Sequence, residues 1–285
     1  MLRKQIITYI NNQIEEIDDH LQPLDLPQSK DAVHDVRVCI KRIRAFLKLF
    51  DLKKKNKKIR KLLKKPLKSI FRAAGNIRDI EVQITLLADY ENLLEKKFHV
   101  VADYLGKKSE KKRSILRTLL ERIPKDVLHT FQEEVVREIE SVQERKLNKL
   151  IVKSLKKITI KSKKSKNRFL PASLHKQRKL LKEIRFCFEM TGDISSNLHT
   201  QAQISEIKEV EDILGKWHDY NLFKRLVERV TQRLKKSDVE IVINLNMLMH
   251  AISNDIILML EKYRRMIPAL KINPEISLIS PAENN

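Results

Sequence analysis

Residues 33–44 read Val33-His34-Asp35-Val36-Arg37-Val38-Cys39-Ile40-Lys41-Arg42-Ile43-Arg44, and residues 174–185 read Leu174-His175-Lys176-Gln177-Arg178-Lys179-Leu180-Leu181-Lys182-Glu183-Ile184-Arg185. Both carry the pattern His-x-x-Arg-x-x-x-Lys-x-x-Arg: His34, Arg37, Lys41 and Arg44, then His175, Arg178, Lys182 and Arg185 at identical spacing. At about 100° per residue the spacings 3, 4 and 3 bring the four side chains within a face about 80° wide. In the first copy that face borders an apolar stripe of Val33, Val36, Ile40, Ile43, Leu47 and Phe50. The pattern therefore predicts two amphipathic helices, each with a cationic row at the edge of the core, overlooking a groove. Cations kept this close repel one another unless an anion lies between them.

A second element follows each row at nearly the same distance. It reads Gly75-Asn76-Ile77-Arg78-Asp79 after the first and Gly215-Lys216-Trp217-His218-Asp219 after the second. The element is read as a helix ended by Gly in a left-handed cap, with Arg78 or His218 in the first turn of the next helix beside exposed amides that attract anions. Asp79 and Asp219 are expected to orient a neighbouring Arg or to cap the helix.

Outward from these motifs the chain reads as all-α. Its 285 residues hold four Gly, eight Pro and 5% aromatics with 42% hydrophobic residues, the economy of helices rather than sheets. An amphipathic stretch from Leu2 to Leu21 ends at Pro23 and Pro27, where a hairpin turn is expected. The next helix is capped by Ser29 or Asp31 and reaches Phe50. Pro66 kinks the following segment or opens a new helix in its first turn. Helices are expected to Gly75 and over 77–105, 109–122, 126–157, 172–190, 200–214, 217–235 and 238–267. The predicted division is an N-terminal half (1–158), a basic connector (159–171), a C-terminal half (172–267) and an irregular tail (268–285).

Charge narrows the function. There are 59 Lys and Arg against 37 Asp and Glu, a net +22 that an anionic partner relieves. The stretch Lys53–Lys68 is densely basic and holds no acid, so an anionic neighbour is expected there. A second acid-free basic run, Lys153–Arg168, reads as a solvated linker. Cys39 and Cys187 lack metal or redox spacing and are read as reduced core thiols. No secretory signal and no uncharged apolar run long enough to span a bilayer occurs, so a cytoplasmic protein without a membrane span is expected.

These motifs together resemble the CHAD family, the conserved histidine α-helical domains. The resemblance rests on Val33 to Arg44, Gly75 to Asp79, Leu174 to Arg185 and Leu214 to Asp219, and Phe186 stands where the family pattern has Tyr. It implies two helical bundles related by pseudo-twofold symmetry around a central basic groove or channel that binds inorganic polyphosphate, with association to polyphosphate granules as a corollary. No Glu-x-Glu-x-Lys motif of the triphosphate-cleaving domain often fused to this family is found, so a stand-alone domain is expected.

On that reading Arg37, Arg44, Arg178 and Arg185 make forked contacts with phosphate, Lys41 and Lys182 act as point charges, and His34, His175, His218 and Arg78 donate further hydrogen bonds. Lys65, Lys68, Arg72 and Lys208 are expected to extend the groove, and Arg42 to be solvated. Titrating histidines would tighten binding in mild acid. His-x-x-x-His spacing and carboxylate clusters are missing, so neither a metal nor another cofactor is expected. A magnesium-holding carboxylate pair for phosphoryl transfer is equally lacking, so a binding protein is expected rather than an enzyme. The alternatives are binding to a nucleic-acid backbone through the basic segments, although sparse aromatics argue against base stacking, and docking of an acidic protein.

Overall fold

The stripe of α2 explains how the molecule is assembled. In the computed structural model Val33, Val36, Ile40, Ile43, Leu47 and Phe50 are all within 1% of complete burial. The structure describes residues 2–21, 30–52, 56–62, 66–122, 124, 126–165, 169–195, 198–234 and 238–273. Among these there are ten helices and no strand: α1 (Leu2–Leu21), α2 (Lys30–Leu49), α3 (Lys57–Leu62), α4 (Lys68–Leu94), α5 (His99–Glu121), α6 (Val127–Glu140), α7 (Glu144–Ser165), α8 (Pro171–Ser195), α9 (Leu198–Thr231) and α10 (Val239–Met266). The all-α expectation holds. The expected turn at Pro23 and Pro27, the cap Ser29 and the tail beyond Asn273 lie outside the described residues.

Packing repeats its order along the chain. α1 lies on α2, α2 on α4 and α4 on α5; likewise α7 lies on α8, α8 on α9 and α9 on α10. The two basic helices α2 and α8 also meet each other. Arg42 pairs with Glu189 at 3.5 Å while Lys48 pairs with Glu183, so the helices cross antiparallel. Arg42, expected to be solvated, keeps 31% of its side chain exposed but is paired as well. It also donates to Gln13 Oε1 at 3.3 Å, because α1 packs against the side of α2 that bears it.

Two cores result, and each draws on both halves of the chain. The larger joins α1, α2, α6, α7 and α8 to the first parts of α4 and α9 and the end of α10. The smaller joins the far parts of α4 and α9 to α5 and α10, with Tyr90 and Phe223 stacked at 6.2 Å. Ile77 belongs to the first core and Ile80 to the second; Trp217 belongs to the first and Phe223 to the second. Arg78, Asp79, His218 and Asp219 thus stand at the junction.

Several boundaries differ from expectation for local reasons. The helix expected over 77–105 stops at Glu95, which turns left-handed (φ 51°), while Glu91 accepts hydrogen bonds from the Phe98 amide (2.9 Å) and from Lys97 (3.0 Å). The helix expected over 126–157 breaks at Ser141, whose hydroxyl donates to the Glu138 carbonyl at 2.8 Å. Pro66 and Leu67 form one wide turn that leads into α4. The described part of the basic connector is mostly helix: α7 continues to Ser165 because Ile158, Thr159 and Ser162 are buried, and Gln177 donates to the Ser162 hydroxyl at 3.0 Å.

The acid expected near Lys53–Lys68 belongs to α6. Lys58 reaches Glu134 at 2.7 Å, and Asn56 donates to Glu138 at 2.8 Å while its own side-chain oxygen caps α3. Both thiols are buried and unpaired, as expected. Burial and a hydrogen bond to Glu16 push Cys39 up to about 12, so it stays protonated. α10 is long and apolar enough, by length and composition, to cross a membrane, with a mean hydropathy of 1.4 over its best window. Its inner side supplies Leu245, Leu248 and Ile252 to the smaller core, and its outer side leaves Val239, Ile243, Ile257 and Leu258 more than half exposed.

Candidate anion-binding cleft

Where α2 and α8 cross beside the junction of the two cores, a cleft of about 540 Å³ opens. Of the predicted residues its lining takes His34, Arg37, Lys41 and Arg44 from α2 and Arg178 and Lys182 from α8, together with Arg78 of α4 and His218 of α9. Ala45 and Phe186, which occupy the same position relative to the two motifs, line it between the two crossing ion pairs. Its lining counts eight cationic side chains against the carboxylates of Asp79 and Glu183. Both carboxylates are engaged, Asp79 with Arg78 at 3.6 Å and Glu183 with Lys48.

Each half positions its row differently. Arg37 and Arg44 lie over the ring of Phe71, their guanidinium carbons 5.1 Å and 4.2 Å from its centroid, and Arg37 donates to the Phe71 carbonyl at 3.4 Å. The ring's negative face holds both cations without neutralising them. In the second half Lys182 and Arg185 instead converge on Glu211, at 3.2 Å and 2.7 Å. Arg185 also meets Glu189. Arg185 is thereby turned out of the cleft lining and into an internal ion-pair cluster, contrary to its expected phosphate contact.

Gly75 and Gly215 end no helix. Both lie inside continuous helices, α4 and α9, so the expected caps and exposed amides are replaced by unbroken backbone. Gly75 makes room for a neighbour: a Cβ there would overlap Nη1 of Arg37, the far end of a side chain that would have to shift. The guanidinium fills the space that a side chain would take. At Gly215 nothing lies within 4 Å. Gly75→Ala should therefore gain helix propensity, up to about 1 kcal/mol, yet push Arg37 aside and weaken anion binding several-fold. Gly215→Ala should gain stability with unchanged affinity; melting curves and anion titrations of the two variants check the contrast.

Within the lining, Arg78 donates through Nη1 and Nη2 to both oxygens of Asp219 at 2.9 Å and 2.8 Å. An Asp does stand beside an Arg as expected: Asp79 pairs with Arg78 inside its own element at 3.6 Å, and the shorter, forked pairing to Asp219 runs between the two halves of the chain. His175 lies outside the lining, with its ring 5.3 Å from that of His218. Lys68, Arg72 and Lys208 are exposed on α4 and α9 and do not line the cleft, because their helix faces turn to solvent. Lys65 lies outside the described residues. Phe71, Lys48, Lys179 and Phe186 line the cleft without having been expected from the sequence. The repeat itself marks Phe71, which is the counterpart of Glu211 when the two glycine elements are aligned.

Crowding and burial set the charge states. Burial, then the neighbouring Lys182, Arg37, Arg178 and Arg78, push Lys41 down to about 7. Burial also lowers Arg37, Arg44 and Arg178 from the ordinary guanidinium range. Burial, reinforced by Arg178, takes His218 down to about 4, and burial lowers His34 and His175 too. All three histidines are therefore neutral in the empty cleft at neutral pH. They donate from one ring nitrogen each, and the titrating group near neutrality is Lys41. The Nε of Arg178 is buried and has no hydrogen-bond partner among the described residues.

A family model, that of the CHAD domain, matches residues 8–228. The chain belongs to the CHAD domain family. Among solved structures it is similar to the CHAD domain of the plant Ricinus communis, at 19% identity, a TM-score of 0.74 and coverage of 95% of this chain and 93% of that one. At this identity the likeness speaks for the fold. No curated protein matches the sequence. In the CHAD arrangement found here His34 and His218 line the cleft, His175 stands behind His218, and the Arg and Lys of the rows carry the charge.

Proposed function

We propose that this CHAD domain binds inorganic polyphosphate in the cleft between α2 and α8, without catalysing a reaction on it. The observation that supports the reading most is the excess of cations over carboxylates in one lining, together with the unpartnered Nε of Arg178. A chain of phosphates offers oxygens at every unit and no bases, so forked guanidinium donors serve it better than aromatic platforms. The two carboxylates of the lining are already paired to cations, and no cluster of three His, Cys, Asp or Glu that would hold a metal occurs among the described residues. These features favour binding over metal-assisted phosphoryl transfer.

Binding should take up a proton. Lys41 is half neutral near pH 7 in the empty cleft and fully charged beside phosphate. Affinity should therefore fall as pH rises from about 7 to 9. The empty protein behaves oppositely: its Lys41 titrates below the unfolded value of 10.5, so the unfolded chain binds more protons between these limits and stability rises with pH there. Calorimetric titration with long-chain polyphosphate at pH 6.5 and 9, in buffers of different ionisation heat, measures the uptake directly. The same titration against duplex DNA at equal phosphate concentration tests the ligand. Displacement of polyphosphate by the duplex would favour a nucleic-acid backbone instead.

A further inference from the structure

The two basic rows are alike in sequence and unlike in partners. Phe71 stands four residues before Gly75, and Glu211 stands four residues before Gly215. Phe71 supports Arg37 and Arg44, whereas Glu211, only 4% exposed, binds Lys182 and Arg185. The same bias appears at the positions beside the rows. When the two motifs are aligned, Arg42 and Lys48 of α2 correspond to Glu183 and Glu189 of α8. The acids facing this crossing come from the C-terminal half.

A cation already paired to a buried carboxylate offers little field to a second anion, since the pair's charges cancel at short range. An aromatic face orients a guanidinium and leaves its charge available. The titration behaviour follows the same division. Burial lowers Arg44, with no carboxylate opposing it, whereas at Arg185 burial is outweighed by Glu211 and Glu189 and the group sits above its ordinary range.

We infer that the cleft is one-sided: phosphate rests on Arg37, Lys41 and Arg44 with the facing Arg178, and Glu211 closes the Lys182–Arg185 end to the chain. Glu211 and Phe71 are then the specificity-determining pair, fixing how many consecutive phosphates the domain engages. The inference rests on the polyphosphate reading and adds a limit to it.

Calorimetric titration with tripolyphosphate and with long-chain polyphosphate, over a range of salt concentrations, tests it. For a flexible single-stranded polyanion each cation engaged contributes about −0.7 to the slope of log affinity against log salt. Four engaged cations in the wild type give about −3, whereas all eight lining cations give about −6; the steeper value overturns the inference with no variant needed. Glu211→Gln should bind long chains several-fold more tightly, with a steeper salt slope, while its affinity for tripolyphosphate changes less than twofold. Glu206→Gln, which removes an exposed acid from the same helix, should change neither ligand beyond twofold. Phe71→Glu, which gives the first row the acid of the second, should lose at least tenfold for both ligands. Equal gains from Glu211→Gln and Glu206→Gln, equal gains for short and long chains, or wild-type affinity in Phe71→Glu would each overturn the one-sided cleft and leave polyphosphate binding standing. A wild type that binds neither ligand overturns both readings.

Discussion

Replacing Arg37 and Arg178 together with Ala should reduce polyphosphate affinity by roughly a hundredfold or more, the loss of two charge-assisted contacts of about 1.5–3 kcal/mol each. The two residues occupy the same position in the two motifs and face each other across the cleft from α2 and α8. Neither is held in an ion pair among the described residues. Arg37 is steadied by the Phe71 carbonyl and ring, and Arg178 keeps a buried Nε unused. Their removal relieves repulsion in the empty protein, so the double variant should melt no lower than the wild type. Loss of affinity with retained melting temperature separates a binding role from a structural one. Wild-type affinity in the double variant would refute the cleft as the site.

Asp219→Ala should have the largest effect on stability, about 2–3 kcal/mol. Asp219 accepts two hydrogen bonds from Arg78, and its side chain is 11% exposed, so the variant leaves a half-buried guanidinium with only the longer contact to Asp79. For a chain of this size the melting temperature should fall by about 3–5 °C. Position sharpens the expectation, because the pair ties α4 to α9 where the two cores meet. Its loss should split one cooperative transition into two, resolved by calorimetry. Asp79→Ala is the control: Asp79 is 41% exposed and 3.6 Å from Arg78, so less than about 1 kcal/mol is expected. Equal destabilisation by both variants would count against a special role for the inter-half pair.

Much of this was legible in the sequence where helical periodicity alone decides the outcome. The stripe of α2 and the rows beginning at His34 and His175 need only the 3.6-residue repeat to reach one face, and the structure brings all of the first row and two of the four residues of the second to one cleft. The glycines mislead because a mid-helix Gly and a helix-ending Gly look identical locally. What distinguishes Gly75 is the tip of Arg37 arriving from another helix, a contact that no local pattern announces. Arg185 escapes for a similar reason: its diversion depends on Glu211, carried by the next helix. The expectation for Lys68, Arg72 and Lys208 rests on charge rather than on face, and charge does not say which way a helix is rotated. The break at Glu95 follows from one carboxylate in the last turn capturing an amide, a competition that periodicity does not register.

The crowd of cations in the cleft also couples folding to solution composition. Any anion that binds the folded cleft and not the open chain stabilises the fold by RT ln(1 + [L]/Kd). The unfolded chain, at +22, is itself a polycation and attracts long polyanions along its whole length. Long chains thus pull on both sides of the folding equilibrium, whereas a compact oligophosphate fits the assembled cleft and has little hold on dispersed lysines. The best ligand and the best stabiliser of this domain need not be the same molecule, and a melting-temperature screen ranks anions by the difference between their two affinities.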